Sequence, residues 1–220
     1  MSIDYKYKAD KYKAKYFNLL NQKGGNPVWY NEFEKSLQEI DNLLTTNGQE
    51  HILTGTSAIA YVLCELKMTE LLDEFEYPCD IDYLYETSNN TYITKKNFGD
   101  FVRLDNLNKD TNKKACYERP SDGSKRINKI DFTGVYKIKH SKVGKYDIVN
   151  INTLYNMYLF CDKEKNIERI KILEKIIDHV KQKSLTQTYN LDDDKDVFQK
   201  SLETTNLPEK TIDTLNSIFE

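Results

Sequence analysis

The stretch from His51 to Tyr85, HILTGTSAIAYVLCELKMTELLDEFEYPCDIDYLY, constrains this chain more than any other. It reads as a strand, His51 to Thr54, then a tight turn at Gly55-Thr56-Ser57, an apolar helix from Ala58 to about Phe75, and a second strand. Pro78 suits the start of that strand, along which Asp80 and Asp82 alternate with Ile81, Tyr83 and Tyr85. Side chains two apart on a strand leave the sheet on one face, so the two carboxylates are expected to project together. A strand-like run from Arg126 to Thr133 carries one further acid, Asp131, on the opposite side from Ile130 and Phe132. If it joins the pair, each two anions at roughly 4 Å repel by about 4 kcal/mol at an effective dielectric of about 20. Such a trio calls for a divalent cation or a bound proton. The same pattern arises if Asp131 pairs with Lys129 or with a cross-strand lysine.

Glycine at residue 55 allows backbone shapes closed to other residues, and the free N–H groups at a helix start attract phosphate. The Ser57 hydroxyl suits either an N-cap or a phosphate oxygen. A glycine turn, a helix, Asp-x-Asp on the next strand and a lone Asp on a later one together resemble the nucleotidyltransferase superfamily of the DNA polymerase β type. The small toxin-like and aminoglycoside-modifying branches are the most similar. The matching residues are Gly55-Thr56-Ser57-Ala58, Asp80-Ile81-Asp82 and Asp131. Thr56 stands where the family often has Gly or Ser, and the stretch from residue 57 to 79 is longer than the family's.

The resemblance implies an α+β protein, with a small mixed β-sheet of the nucleotidyltransferase type packed by helices and with helical segments at both ends. It implies metal-dependent transfer of a nucleoside monophosphate from a nucleoside triphosphate to a hydroxyl. Asp80, Asp82 and Asp131 are then the catalytic and metal-binding residues, with Mg²⁺ or Mn²⁺ as cofactor, and Gly55, Thr56 and Ser57 hold the triphosphate. Arg169-Ile170-Lys171 matches the first part of an Arg-x-Lys-Asp segment of the toxin-like branch, which implies triphosphate contacts from Arg169 or Lys171, but Ile172 breaks the motif and the residues themselves read first as a solvated basic face. RNA, a protein or a small molecule all remain open as acceptor.

The whole chain suits a globular protein: 220 residues, 39% hydrophobic and 30% charged, with a formal charge of −3. Cys64, Cys79, Cys116 and Cys161 form no Cys-x-x-Cys pair, and His51, His140 and His179 show no ligand spacing with them, which argues for free thiols in a reducing compartment and against zinc. No apolar run nears the roughly 18 residues that span a bilayer, and MSIDYKYK lacks a signal-peptide core. The cytoplasm is the expected location. The Tyr/Lys-rich stretch from residue 4 to 22, closing on Gly24-Gly25-Asn26-Pro27, looks like N-terminal segments of proteins from very large DNA viruses, for which the location becomes host cytoplasm, viral factory or virion. It reads as a helix that packs or oligomerises, or that contacts nucleic acid through lysines and stacked tyrosines.

Apolar spacing predicts a helix from Val28 to Leu44 through Trp29, Phe33, Leu37, Ile40 and Leu43/Leu44. Short strands are expected at Thr91 to Thr94 and Asp100 to Leu104, and a hairpin from Ala115 to Arg119 and Arg126 to Tyr136 about Pro120-Ser-Asp-Gly-Ser124. Asp147 to Phe160 reads as a strand, an Asn/Thr cap and a helix, and Lys163 to Lys181 as a helix with Ile167, Ile170, Leu173, Ile176, Ile177 and Val180 on one stripe. The acids from Asp192 to Glu203 mimic a calcium loop, but Val197 replaces the glycine of its sixth slot, so they read as a helix start. A last helix runs from Pro208 to about Phe219. The expected organisation is an N-terminal helical segment (1–46), a nucleotidyltransferase-like core (47–150) and a C-terminal helical region (151–220). The rival readings are an inactive protein of the same fold that serves as a binding or virion structural protein, a nucleic-acid-binding protein, and a metal-dependent phosphohydrolase or nuclease.

Overall fold

The apolar spacing after Val28 produces a helix from Val28 to Thr46 (α1) in the computed structural model of the chain, which describes residues 28–72, 78–87, 93–104, 114–121, 123, 126–135, 139–160, 164–189 and 191. Phe33, Leu37, Ile40 and Leu44 are its buried stripe. Then follow β1 (Ile52–Thr54), α2 (Gly55–Glu65), α3 (Thr69–Leu72), β2 (Ile81–Glu86), β3 (Asn97–Phe98), β4 (Phe101–Arg103), β5 (Lys114–Glu118) and β6 (Lys129–Val135). The order closes with β7 (His140–Val143), β8 (Tyr146–Val149), α4 (Ile151–Phe160), α5 (Glu164–Gln182) and α6 (Thr186–Tyr189). The expected Tyr/Lys helix at 4 to 22, the acids from Asp192 to Glu203 and the helix after Pro208 lie outside the described residues.

The strands form one mixed sheet in the order β3-β4-β5-β6-β2-β1-β8-β7. Two pairings are parallel, β2 with β6 and β1 with β8, and the rest are antiparallel. With eight strands the sheet is larger than the small one expected. The surplus comes from short pieces such as β7, His-Ser-Lys-Val, whose exposed, polar sequence carries no alternating apolar signal.

Register sorts the side chains into two unlike faces. Leu53, Tyr83, Phe132 and Ala115 form one row across four strands, and Ile81, Ile130 and Tyr117 form the next row on the same side. Phe132 sits at the centre of an aromatic cluster, with ring centroids 5.7 Å from Tyr83, 5.9 Å from Tyr117 and 6.0 Å from Phe98. The buried side chains of α1 and α2 belong to this same core. Burying several such rings supplies most of the drive for folding. The other face of β2 and β6 carries acids.

Three local predictions need correction. The helix expected to run from Ala58 to Phe75 stops at Glu65. Lys67 adopts a left-handed φ of 58°, its N–H bonds the Cys64 carbonyl at 2.9 Å, and the Met68 N–H bonds the Leu63 carbonyl at 2.8 Å. That is a Schellman stop, built without the glycine that normally advertises it. No strand forms over residues 93 and 94 of the piece expected at Thr91 to Thr94; the pairing starts at Asn97. Ile167 leaves the expected stripe of α5 and is 55% exposed, because six residues before Leu173 places it about 120° around the helix. By contrast the Asn cap before α4 forms: Asn150 Oδ1 accepts the Asn152 N–H at 2.9 Å.

α1 is tied to the sheet by one buried cation. Arg119 donates to Glu39 Oε1 at 2.7 Å and to the Ile127 carbonyl at 2.8 Å, and its guanidinium lies 4.6 Å from the centre of the Phe101 ring. Arg126 reaches the same Glu39 oxygen at 2.5 Å. Burial pushes the Glu39 carboxyl up, but the hydrogen bonds from Arg119 and Arg126 outweigh it and hold the carboxyl below its ordinary value. Its contribution to stability is therefore present at neutral pH and lost as pH falls through the carboxylate range. Replacing Arg119 by Ala is expected to lower unfolding stability by about 2–3 kcal/mol in urea titrations at pH 7, less below pH 4, since charged hydrogen bonds and a carbonyl partner are lost together.

Candidate functional site

The in-register pairing of β2 with β6 sets Asp82 opposite Asp131 on adjacent strands. The row extends to Thr54 on β1 and Cys116 on β5, so these four side chains stand in line on the face away from the aromatic core. Strands in a sheet lie about 4.8 Å apart, which keeps the two carboxylates within each other's field. Asp80 differs from expectation: it occupies a bend ahead of β2, not the strand itself. It still faces the same side, because Lys129 Nζ lies 3.7 Å from Asp80 Oδ2 and 2.5 Å from Asp131 Oδ2. Asp131 thus stands beside Asp82 and also forms the ion pair with Lys129 that the alternative reading described.

The glycine turn abuts the acids. Gly55 has a φ of +68°, and a Cβ placed on it falls 2.3 Å from Asp82 Oδ2. Only glycine satisfies both the left-handed backbone and that approach. α2, whose first N–H groups have no partner within the helix, therefore starts beside the acidic row. Ser57 does something other than capping: buried, it donates its hydroxyl to the Asp80 carbonyl at 3.0 Å, and so pins the turn to the bend. Thr56 Oγ1 lies 3.3 Å from the Tyr158 hydroxyl of α4. The Arg169 guanidinium lies 5.8 Å from the centre of the Tyr158 ring and its charge favours the ionised form of Asp82. Lys171 is exposed, two residues on and about 200° around α5 from Arg169, so the structure does not bring it to this cluster. Tyr158 and Cys116 join the site without any sequence motif; only strand register and helix packing put them there.

Comparison of the chain with protein-family models, with curated proteins and with solved structures finds no match. What the site can do is set by its own side chains.

Among the described residues, three carboxylates, Asp80, Asp82 and Asp131, face two cations, Lys129 and Arg169. The unbalanced charge falls on Asp82, whose carboxyl is raised to about 6 by burial first and then by Asp80 and Asp131. Burial and the neighbouring Asp131 also push the Cys116 thiol up to about 12, so it stays protonated beside the carboxylate. Among the described residues no group of three or more His, Cys, Asp or Glu is gathered tightly enough to hold a metal ion as it stands. The donors themselves suit a hard cation, being carboxylate oxygens with an excess of negative charge. A separate cavity of about 440 Å³ on the aromatic side of the sheet is lined by His51, Asp41, Tyr83 and Tyr146 and lies away from the acids. Among the described residues no helix is long and apolar enough to cross a membrane.

Two substitutions test this description. Gly55→Ala is expected to cost about 2–4 kcal/mol, while Gly48→Ala, with a φ of +65° but open space around it, costs only about 1 kcal/mol; equal losses in denaturant titrations would refute the close approach to Asp82. For Asp82, a folded pKa of about 6 against an ordinary 3.8 means that its contribution to stability is full below about pH 4 and disappears as pH rises through 6. Asp82→Asn mimics the protonated form. It is therefore expected to be more stable than the wild type by about 1–3 kcal/mol at pH 8, with the gain vanishing near pH 4. Denaturant midpoints measured across that range check it.

Proposed function

We propose that this protein is a metal-dependent nucleotidyltransferase, which moves a nucleoside monophosphate from a nucleoside triphosphate to a hydroxyl. One observation carries the reading: Asp82 and Asp131 stand side by side on parallel strands, with Asp80 just ahead of them, directly against the glycine turn that opens α2. The order of turn, helix, paired acids and later acid is the one on which the resemblance to the polymerase β-type superfamily rests. The carboxylates of Asp80, Asp82 and Asp131 would hold magnesium, or manganese in its place, which when bound would lower the negative charge on the phosphates and activate the attacking hydroxyl. Each remaining part has a role from its own chemistry. The N–H groups at the start of α2 take triphosphate oxygens, Gly55 lets them come close to Asp82, and Arg169 adds positive charge. Asp131 is the acceptor for the hydroxyl proton, and Ser57 is a positioning residue. Among the described residues Cys64, Cys79 and Cys116 form no disulfide, which suits a reducing compartment such as cytoplasm or a viral factory.

A second reading is favoured by Lys129. An ammonium already seated between Asp80 and Asp131 suits a non-catalytic protein on the same scaffold that binds a nucleotide or a partner.

The deciding experiment incubates the protein with each α-labelled nucleoside triphosphate, Mg²⁺ and fractionated lysate, beside the Asp80→Ala/Asp82→Ala variant. Label should enter one acceptor fraction (RNA, protein or small molecule) with the wild type and fall at least about 100-fold with the variant, the scale expected when transition-state charge stabilisation is removed. No transfer by the wild type with any of the triphosphates, alongside nucleotide-dependent thermal stabilisation, would favour the non-catalytic reading.

A further inference from the structure

We propose that Lys129 is a tethered cation that occupies the acidic site of the metal-free protein and must swing away when a divalent ion enters, so that the site alternates between a lysine-closed and a metal-loaded arrangement. This deepens, and rests on, the nucleotidyltransferase reading.

The geometry is specific. Lys129 and Asp131 are two apart on β6, and their side chains leave the same face of the sheet. The ammonium lies 2.5 Å from Asp131 Oδ2 and 3.7 Å from Asp80 Oδ2, so it bridges two acids that come from separate segments of the chain. Without it, Asp80, Asp82 and Asp131 would face one another with less compensation, Arg169 being the other cation whose charge acts on Asp82. A lysine neutralises one charge and offers no open coordination positions, so it keeps the acids together but leaves nothing for a phosphate oxygen to bind. A divalent ion brings twice the charge and accepts oxygens from both carboxylate and phosphate.

The lysine can leave. Its side chain is 37% exposed, and a flexible four-carbon stem lets the ammonium reach water without moving the strand. Metal and ammonium compete for the same carboxylate oxygens of Asp80 and Asp131, and two cations cannot share that space. Arg169 plays no such part, since it approaches from α5 and stands against Tyr158. The ammonium links two segments of the acidic site, so it would compete there with the proposed metal.

The test measures Mn²⁺ and Mg²⁺ binding to the full chain by isothermal titration and by thermal shift for the wild type, Lys129→Met and Lys129→Arg. Lys129→Met is expected to melt lower without metal, to gain more on adding metal, and to bind Mn²⁺ about tenfold tighter or more, because one competing charge is gone. Lys129→Arg keeps the charge and should behave like the wild type; Lys129→Ala repeats the measurement if the methionine variant folds poorly. A second readout uses the wild type alone: reductive methylation of Lys129, followed by mass spectrometry, should speed up on adding Mg²⁺. Equal metal affinity in wild type and Lys129→Met, with no change in methylation, overturns the lysine's role and leaves the metal reading standing. No response to saturating Mn²⁺ in any variant overturns both.

Discussion

The parallel, in-register pairing of β2 with β6 is the constraint from which the rest of the molecule follows. It sets Asp82 beside Asp131 at about the spacing of neighbouring strands, where two anions at an effective dielectric of about 20 repel by about 3–4 kcal/mol. Such a pairing does not form for its own sake. It forms because the opposite faces of the same strands carry Tyr83 and Phe132, stacked at 5.7 Å in the core. Register is shared by both faces, so the apolar side dictates a pairing that the polar side must bear.

The surroundings then divide the cost. Lys129 and Arg169 offset part of the charge, Cys116 stays a protonated neighbour of Asp131, and Asp82 retains a proton to an unusually high pH. Ser57 and Gly55 hold the turn so close to Asp82 that the carboxylate has little room to escape. The acids are thus held together by their frame, with compensation from Lys129 on β6 itself and from Arg169 on α5. On the far side Arg119 ties α1 to the β5–β6 connection.

Much of this was legible in residue order. Alternation along residues 80 to 85 and 129 to 135 told which side chains share a face, and the three-to-four spacing in α1 told which would be buried. The glycine at 55 signalled a turn with an unusual backbone. Where reading failed, the reason was a competing interaction with no local signature. A Schellman stop at Lys67 ended α2 early, a bend took Asp80 off its strand, and a carbonyl 23 residues away claimed the Ser57 hydroxyl. Thr56 Oγ1 instead lies beside the Tyr158 hydroxyl, more than a hundred residues on.

Sequence by itself determined the periodicities, and through them the acids' shared face, the glycine corner and the apolar stripes, because these depend only on the geometry of strand and helix. Tertiary structure alone decided which strands became neighbours, so it alone brought Cys116 and Tyr158 to the acids, and it alone kept Arg169 near them while leaving Lys171 outside. Pairing order and charge balance are properties of residues distant in the chain, summed over the whole core, and no short stretch carries them.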